Sequence, residues 1–177
     1  FKQKTAYEIG VRLVGSEMCI RDRGWACVKS NPLVSVVIAT HNRASFIGKA
    51  IRSVLKQTAP DLEIIVVDDG SVYSTPRVLA QFGNHISIIR QPNQGRSAAR
   101  NAGVTHASGD IIAFLDSDDI WLPNKLAEQC SVFAGGPEVG LVQTFSDVID
   151  ENGTIVFKSA WADVDKIETV LDILLDS

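Results

Sequence analysis

The stretch LVSVVIATHNRASFIGKAIRSVLKQTAPDLEIIVVDDGS (residues 33–71) decides the fold. Residues 33–40 form an almost continuous apolar, β-branched run, as a strand covered on both faces requires. Over 43–58, Ile47, Ile51, Val54, Leu55 and Thr58 recur at helical spacing, and Pro60 stops the pattern. LEIIVVDDGS (62–71) is a second apolar strand, and it runs directly into carboxylates and glycine. Strand, helix and strand in this order predict a βαβ unit, whose two strands lie parallel.

The alternation continues outward. STPRVLAQFG (74–83) reads as a short helix, with Ser74 or Thr75 as N-cap, Pro76 in the first turn and Gly83 as C-cap. HISIIRQ (85–91) is a third strand, GRSAARNAGVTHASG (95–109) an Ala-rich helix, and DIIAFLD (110–116) a fourth strand. Pro123 opens a helix over 123–136, VGLVQTFSDV (139–148) is a fifth strand, and Asn152-Gly153 turns the chain into TIVFK as a hairpin. Residues 165–177 are amphipathic. The fold class expected is α/β, a Rossmann-like, mostly parallel sheet with helices on both faces. Ligands of such sheets bind beyond the carboxyl ends of the strands. Thr40-His41-Asn42-Arg43, Asp68-Asp69-Gly70-Ser71, Asn93-Gln94-Gly95-Arg96 and Asp116-Ser117-Asp118-Asp119 all fall at such ends.

Composition narrows the class. The 177 residues are 45% hydrophobic, which fits a globular core and not disorder. The longest apolar runs are too short to cross a bilayer, and no secretory pattern is present. The net charge of −4 argues against nucleic acid as a partner. Cys19, Cys27 and Cys130 lack ligand-like spacing, so a reducing compartment is expected. Residues 1–31 carry 6 Lys+Arg against 3 Asp+Glu, and the remainder 11 against 18. Patterning also begins at Asn31-Pro32. Residues 1–31 are therefore read as an extension outside the domain, and 32–177 as the domain. KTAYEIGVRLVGSEMCIRDR (4–23) resembles a translated sequencing-adapter sequence, which makes the extension an expected cloning or assembly scar.

Asp116 and Asp118 carry the strongest chemical signal. Two residues apart at a strand exit, they are expected to face the same way, where like charges repel unless a cation lies between them. Mg²⁺ and Mn²⁺ prefer such oxygen ligands, completed by substrate phosphates. The plain alternative is a solvated acidic turn, or Asp118 capping the next helix. Asp68 and Asp69 suit hydrogen bonding to a ribose or base, although Asp-Asp-Gly-Ser is also turn chemistry. The two readings are compatible if Asp68 braces the loop and Asp69 faces the ligand. Gly95 opens a helix whose start can attract an anion, with Arg96 and Arg100 on one face. His41 reads as a loop brace and Trp121 as core. Walker-type, dinucleotide-binding and nucleophile-elbow motifs are absent from the sequence.

VSVVIATHNR (34–43), EIIVVDDGS (63–71), NQGRSAARNAG (93–103) and GDIIAFLDSDDIWLPNKL (109–126), in that order, resemble a family 2 glycosyltransferase of the GT-A fold. The resemblance covers residues 33 to about 157. It implies sugar transfer from a nucleotide diphosphate donor, uridine diphosphate being the expected nucleotide, with inversion at the anomeric carbon. It assigns Thr40, Asn42, Arg43, Asp68, Asp69, Gly95 and Arg96 to the nucleotide. Asp116 and Asp118 become the D-x-D pair that holds Mn²⁺ or Mg²⁺, with Asp119 a less secure third. The acceptor implied is a saccharide or a lipid-linked sugar, and the setting is the cytoplasm or the cytoplasmic face of the membrane.

The family's catalytic carboxylate follows the amphipathic segment that begins near Asp165, so the base is expected after Ser177, in a chain cut at its C-terminus. Asp147 and Asp150 are not assigned that role. A non-catalytic nucleotide-sugar binding module remains the alternative. A haloacid-dehalogenase-like phosphohydrolase fits poorly, because its D-x-D lies on the first strand and is followed by Thr or Val where Ile120 stands.

Overall fold

The computed structural model describes residues 7–9, 17–20, 32–58, 61–72, 74–135, 139–144, 146–150 and 153–158. The βαβ unit of the opening stretch is present. Strand β3 (Val34–Thr40) pairs in parallel with β4 (Leu62–Asp69), from Val34 opposite Leu62 to Thr40 opposite Asp68. Helix α1 (Ala44–Leu55) connects them and buries Ile47, Ile51 and Val54. The helix stops short of the predicted 58, and Leu55 and Thr58 are exposed. Past it the chain instead ties to the 121–125 loop, with Thr58 N–H donating to the Pro123 carbonyl at 2.9 Å.

Helix α2 (Ser74–Ala80) leads to β5 (Ser87–Gln91), which adds in parallel outside β4. Helix α3 (Arg96–His106) then returns the chain across the sheet, and β6 (Ile111–Asp116) pairs in parallel with the other side of β3. The order β6-β3-β4-β5 thus reverses direction at β3 and β6. In a doubly wound sheet that reversal opens a crevice at the carboxyl ends, and the 40–43 and 116–119 loops are the ones that border it.

Helices cover both faces, as expected. On one, Ile47, Ile51 and Val54 of α1, Leu79 of α2, and Leu126 and Phe133 of α4 (Lys125–Gly135) pack on Val36, Ile38, Ile64, Val66 and Leu115. On the other, α3 lays Ala99 against Val37, Ile65, Val67 and Ile112. This contact is so close that a Cβ on Gly103 would overlap Val37 Cγ1. The small residues of α3 therefore serve packing.

The predicted fifth strand is shorter than expected. β7 is Leu141–Thr144, and Val148–Ile149 (β8) belongs instead to an antiparallel hairpin with β9 (Ile155–Phe157), turned at Gly153. The amphipathic stretch 165–177 lies outside the described residues.

The N-terminal segment departs from its reading as an extension outside the domain. Tyr7–Ile9 (β1) and Glu17–Ile20 (β2) both stand in the sheet. β2 runs antiparallel between β6 and β7, and β1 lies parallel outside β7. The physical reason is that main-chain groups on an open strand edge accept any extended segment, whatever its side chains. Met18, fully buried, adds an apolar anchor.

Candidate functional site

β3 ends in Thr40, which is 3% exposed and has an Oγ1 without a hydrogen-bond partner among the described residues. A buried hydroxyl left unpaired is costly, and at a sheet edge it is free to meet a ligand; Trp121 Nε1 and Thr144 Oγ1 are unpaired in the same way among the described residues. Asn42 follows at φ 53°, a left-handed conformation Asn tolerates. Its N–H donates to Ser71 Oγ at 2.9 Å, and its Oδ1 accepts from Val72 N–H at 2.9 Å. Asn42 is thus a clasp between the two loops. His41 Nδ1 donates to the Asp69 carbonyl at 2.7 Å, consistent with its reading as a brace.

At the end of β4 the two aspartates exchange the parts expected of them. Asp69 is fully engaged: Oδ1 accepts from Gln94 N–H at 2.9 Å and Gln91 Nε2 at 2.7 Å, and Oδ2 from Gly95 N–H at 2.8 Å. Burial raises its pKa, but these donors, with His41, outweigh it and hold the carboxyl below the usual range. Asp69 therefore braces the loop before α3. Asp68 is the one that lines a pocket of about 220 Å³, with Gly70, Ser71, Arg90, Gln91 and Pro92. Its Oδ1 accepts from Ser71 N–H at 3.0 Å, and Arg90 Nε stands 3.7 Å from Oδ2. Gly70, at φ 76°, permits this turn; a Cβ there would meet Asn93 N at 2.8 Å.

Asp69 also changes the reading of the α3 N-terminus. The N–H groups of Gln94 and Gly95 are spent on it. Beyond those two N–H groups, the helix start presents to an anion its first-turn N–H groups and the guanidiniums of Arg96 and Arg100.

Both point at the acidic turn. Arg100 Nη2 donates to Asp116 Oδ1 at 2.7 Å, and Arg96 Nη1 lies 3.7 Å from Oδ2. Arg43 Nη2 stands 4.0 Å from Asp118 Oδ2. Arg100 is the participant that sequence reasoning set beside Arg96 on the anion-attracting face but did not assign to the nucleotide. Its only signal was the i, i+4 spacing from Arg96.

Asp116 is the last residue of β6, and Asp119 N–H donates to the Asp116 carbonyl at 3.1 Å. Asp118 therefore sits in a turn, not on the strand. The turn, rather than the strand alternation assumed from sequence, brings the carboxylates together. Their proximity registers on Asp119, whose carboxyl is pushed up to about 6, first by burial and then by Asp116 and Asp118. Hard oxygen donors under mutual repulsion fit a divalent cation. Among the described residues, however, there is no group of three His, Cys, Asp or Glu placed to hold one, so these residues supply at most a partial shell.

Beneath the turn lies a group with no anticipated role. Lys125 is fully buried, hydrogen-bonded to Gln129 Oε1, with its Nζ 4.4 Å from the centre of the buried Trp121 ring. Burial pushes its pKa down to about 7. Its i, i+4 spacing from Trp121 and Gln129 was the available signal.

Comparison with known proteins places this geometry in a family. The model described as glycosyl transferase family 2 matches residues 35–172. A protein of Nostoc sp. named as an uncharacterized glycosyltransferase is 36% identical over 148 residues, covering 81% of this chain and 46% of its own. Staphylococcus aureus TarS 1-349, solved in complex with UDP-GlcNAc, aligns at 27% identity and TM-score 0.50, over 55% of this chain and 30% of that one. The Pyrobaculum calidifontis mannosyltransferase PcManGT, in complex with GDP-Man and Mn²⁺, aligns at 25% identity and TM-score 0.53, over 62% and 34%. The chain thus spans less than half the length of the relatives it matches here.

Proposed function

The chain belongs to glycosyl transferase family 2, and on that premise we propose that it is the donor-binding part of an inverting enzyme. The reaction moves a sugar from a nucleotide diphosphate donor to a hydroxyl acceptor. The observation that carries this reading is that three features stand along the carboxyl edge of the parallel sheet. They are the unpaired Thr40 hydroxyl, the Asp68–Arg90 pocket and the Asp116–Asp118 turn ringed by Arg43, Arg96 and Arg100. The family match begins at residue 35, which supports Asn31-Pro32 as the start of the family domain.

In the proposed complex the nucleoside occupies the pocket beside Asp68 and Arg90. Asp68 can accept from a base N–H or a ribose hydroxyl, and Arg90 can stack or donate. Uridine diphosphate is the expected nucleotide, in keeping with UDP-GlcNAc bound to TarS; GDP-Man bound to PcManGT makes guanosine the competitor to test. The diphosphate lies toward Arg43, Arg96 and Arg100. Asp116 and Asp118 would hold Mn²⁺ or Mg²⁺, which when bound supplies Lewis-acid stabilisation of the charge on the leaving diphosphate.

An acceptor oxygen attacks the anomeric carbon as the bond to the diphosphate breaks, and the acceptor proton passes to a general base. The arginines counter the charge gained by the leaving group. We place that base after Ser177, in keeping with relatives that extend far beyond the matched region. The acceptor is a saccharide or lipid-linked sugar, met in the cytoplasm or at the cytoplasmic face of the membrane. Among the described residues no helix is long and apolar enough to cross a membrane.

Calorimetric titration of the chain with UDP and GDP, with and without Mn²⁺, tests the reading. Mn²⁺-dependent binding of one of them is expected. Binding of neither overturns the donor site, and binding that survives Asp118→Ala unchanged overturns the metal ligands. Sugar transfer by this chain at the rate of a full-length relative overturns the placement of the base.

A further inference from the structure

We propose that in the donor-free chain the guanidinium of Arg100, with Arg96 beside it, stands in the place of the cation at Asp116. Metal and nucleoside diphosphate then bind cooperatively, because neither can settle fully until the arginines change partners. The inference rests on the reading of Asp116 and Asp118 as metal ligands and adds a role for Arg100.

Of the three carboxylates, Asp116 is the one with a cation on each oxygen: Arg100 at 2.7 Å on Oδ1 and Arg96 at 3.7 Å on Oδ2. Arg100 is also anchored from a second side. Its guanidinium lies 5.6 Å from the centre of the Phe114 ring, two residues before Asp116 and so on the same face of β6. It projects from α3, a helix locked to the sheet through Gly103. Arg100 is therefore preorganised onto the carboxylate, unlike Arg96, whose side chain is 71% exposed.

A divalent cation entering without donor finds Asp116 held by a 2.7 Å hydrogen bond from Arg100, Asp118 facing Arg43 at 4.0 Å, and among the described residues no third ligand of the kind it needs. It must break a charge-assisted hydrogen bond to gain an incomplete shell. A diphosphate resolves both problems. Its oxygens are better bidentate partners for guanidinium groups, and they also complete the cation's shell. The exchange frees Asp116 for the metal and turns Arg96 and Arg100 toward the phosphates. By linkage the effect is reciprocal: the metal raises diphosphate affinity by the same factor. Arg100 thus serves Asp116 in the donor-free chain and the diphosphate in the complex.

The test is Mn²⁺ binding, read from the paramagnetic resonance of free Mn²⁺, by the 177-residue chain with and without UDP. Wild type should bind Mn²⁺ about tenfold or more tighter with UDP than without. Arg100→Gln should tighten donor-free binding by about tenfold and shrink the UDP effect, a gain that mere structural damage would not produce. Should that variant fail to fold, the exposed Arg96→Gln carries the test, with a smaller change in the same direction. If both variants leave donor-free Mn²⁺ affinity unchanged or weaker while Asp116→Asn abolishes it, the exchange is overturned and the metal ligands stand. If Asp116→Asn binds Mn²⁺ like wild type, the metal ligands fall, and the exchange falls with them.

Discussion

The two ends of the parallel strands treat carboxylates in opposite ways. At the amino end, Glu63 near the start of β4 accepts from Ser35 Oγ at 2.5 Å, Ser108 N–H at 2.6 Å, Ser108 Oγ at 2.9 Å and Gly109 N–H at 3.1 Å. Burial opposes ionisation, but these donors outweigh it and hold its pKa below the ordinary value. At the carboxyl end, Asp116, Asp118 and Asp119 crowd one turn, where burial and then the two neighbouring carboxylates raise the pKa of Asp119. A carboxylate met by four donors is a staple. Carboxylates crowded together and countered, among the described residues, by arginines form a site suited to a cationic or phosphate partner. Both ends are acidic, and only the neighbours distinguish structure from function.

Substitutions can break that contrast. The largest effect on stability is expected at the staple. A Cβ on Gly109 would lie 2.7 Å from the Leu33 carbonyl and 2.8 Å from Ser35 N, both main-chain atoms that cannot step aside. Gly109→Ala should cost about 2–3 kcal/mol in urea unfolding and leave UDP affinity intact in whatever fraction stays folded. Asp118→Ala should do the reverse. Mn²⁺-dependent UDP affinity should fall on the order of 10–100-fold by calorimetry, with stability within about 0.5 kcal/mol of wild type. If Asp118→Ala instead unfolds the chain, the acidic turn is structural and the contrast collapses.

Glu63→Gln sharpens the comparison through pH. It should cost about 1–2 kcal/mol at pH 7, since the amide accepts more weakly than the carboxylate and brings unwanted donors. Because the folded pKa lies below the unfolded one, the ionised carboxylate's contribution is present above about 4.5, the ordinary value for a free glutamate, and is lost as pH falls through the folded pKa. Unfolding midpoints between pH 7 and pH 3 should therefore fall more steeply for wild type than for Glu63→Gln.

An effect seen only as pH is raised is expected at Lys125, which belongs to neither rim and has an amide and a ring where a carboxylate partner would be usual. Its pKa is lowered to about 7 from 10.5, so above pH 7 the unfolded chain holds a proton that the folded chain does not. Wild-type stability should rise from pH 7 to 9 by at most about 1.4 kcal/mol per unit from this group, and Lys125→Met should lack that rise.

Much of this was legible beforehand because it is local. Apolar runs over 33–40 and 62–71, with a helical stripe between, leave few alternatives to a βαβ unit. The abrupt change from IIAFL to Asp116-Ser117-Asp118 marks a strand exit by chemistry alone. Misreadings arose where distant segments compete. Asp68 and Asp69 are adjacent and identical in chemistry. Which one braces and which lines the pocket depends on the 91–95 loop, more than twenty residues away. The part Gly95 plays at the α3 start was hidden for the same reason, since Asp69 takes its N–H and that of Gln94. The two strands from residues 1–31 went unforeseen because edge pairing is made by main-chain atoms and leaves little trace in side-chain pattern.

By itself, then, the sequence determined the alternation of strand and helix, the rim at which polar residues gather and the family they resemble, because periodicity and strand-end chemistry act over short stretches of chain. Only the tertiary structure decided which carboxylate is satisfied and which is left wanting. That depends on donors brought from other strands and helices, as Arg100 is brought from α3 to Asp116. No local pattern encodes a meeting whose partners are fixed by the packing of the whole sheet.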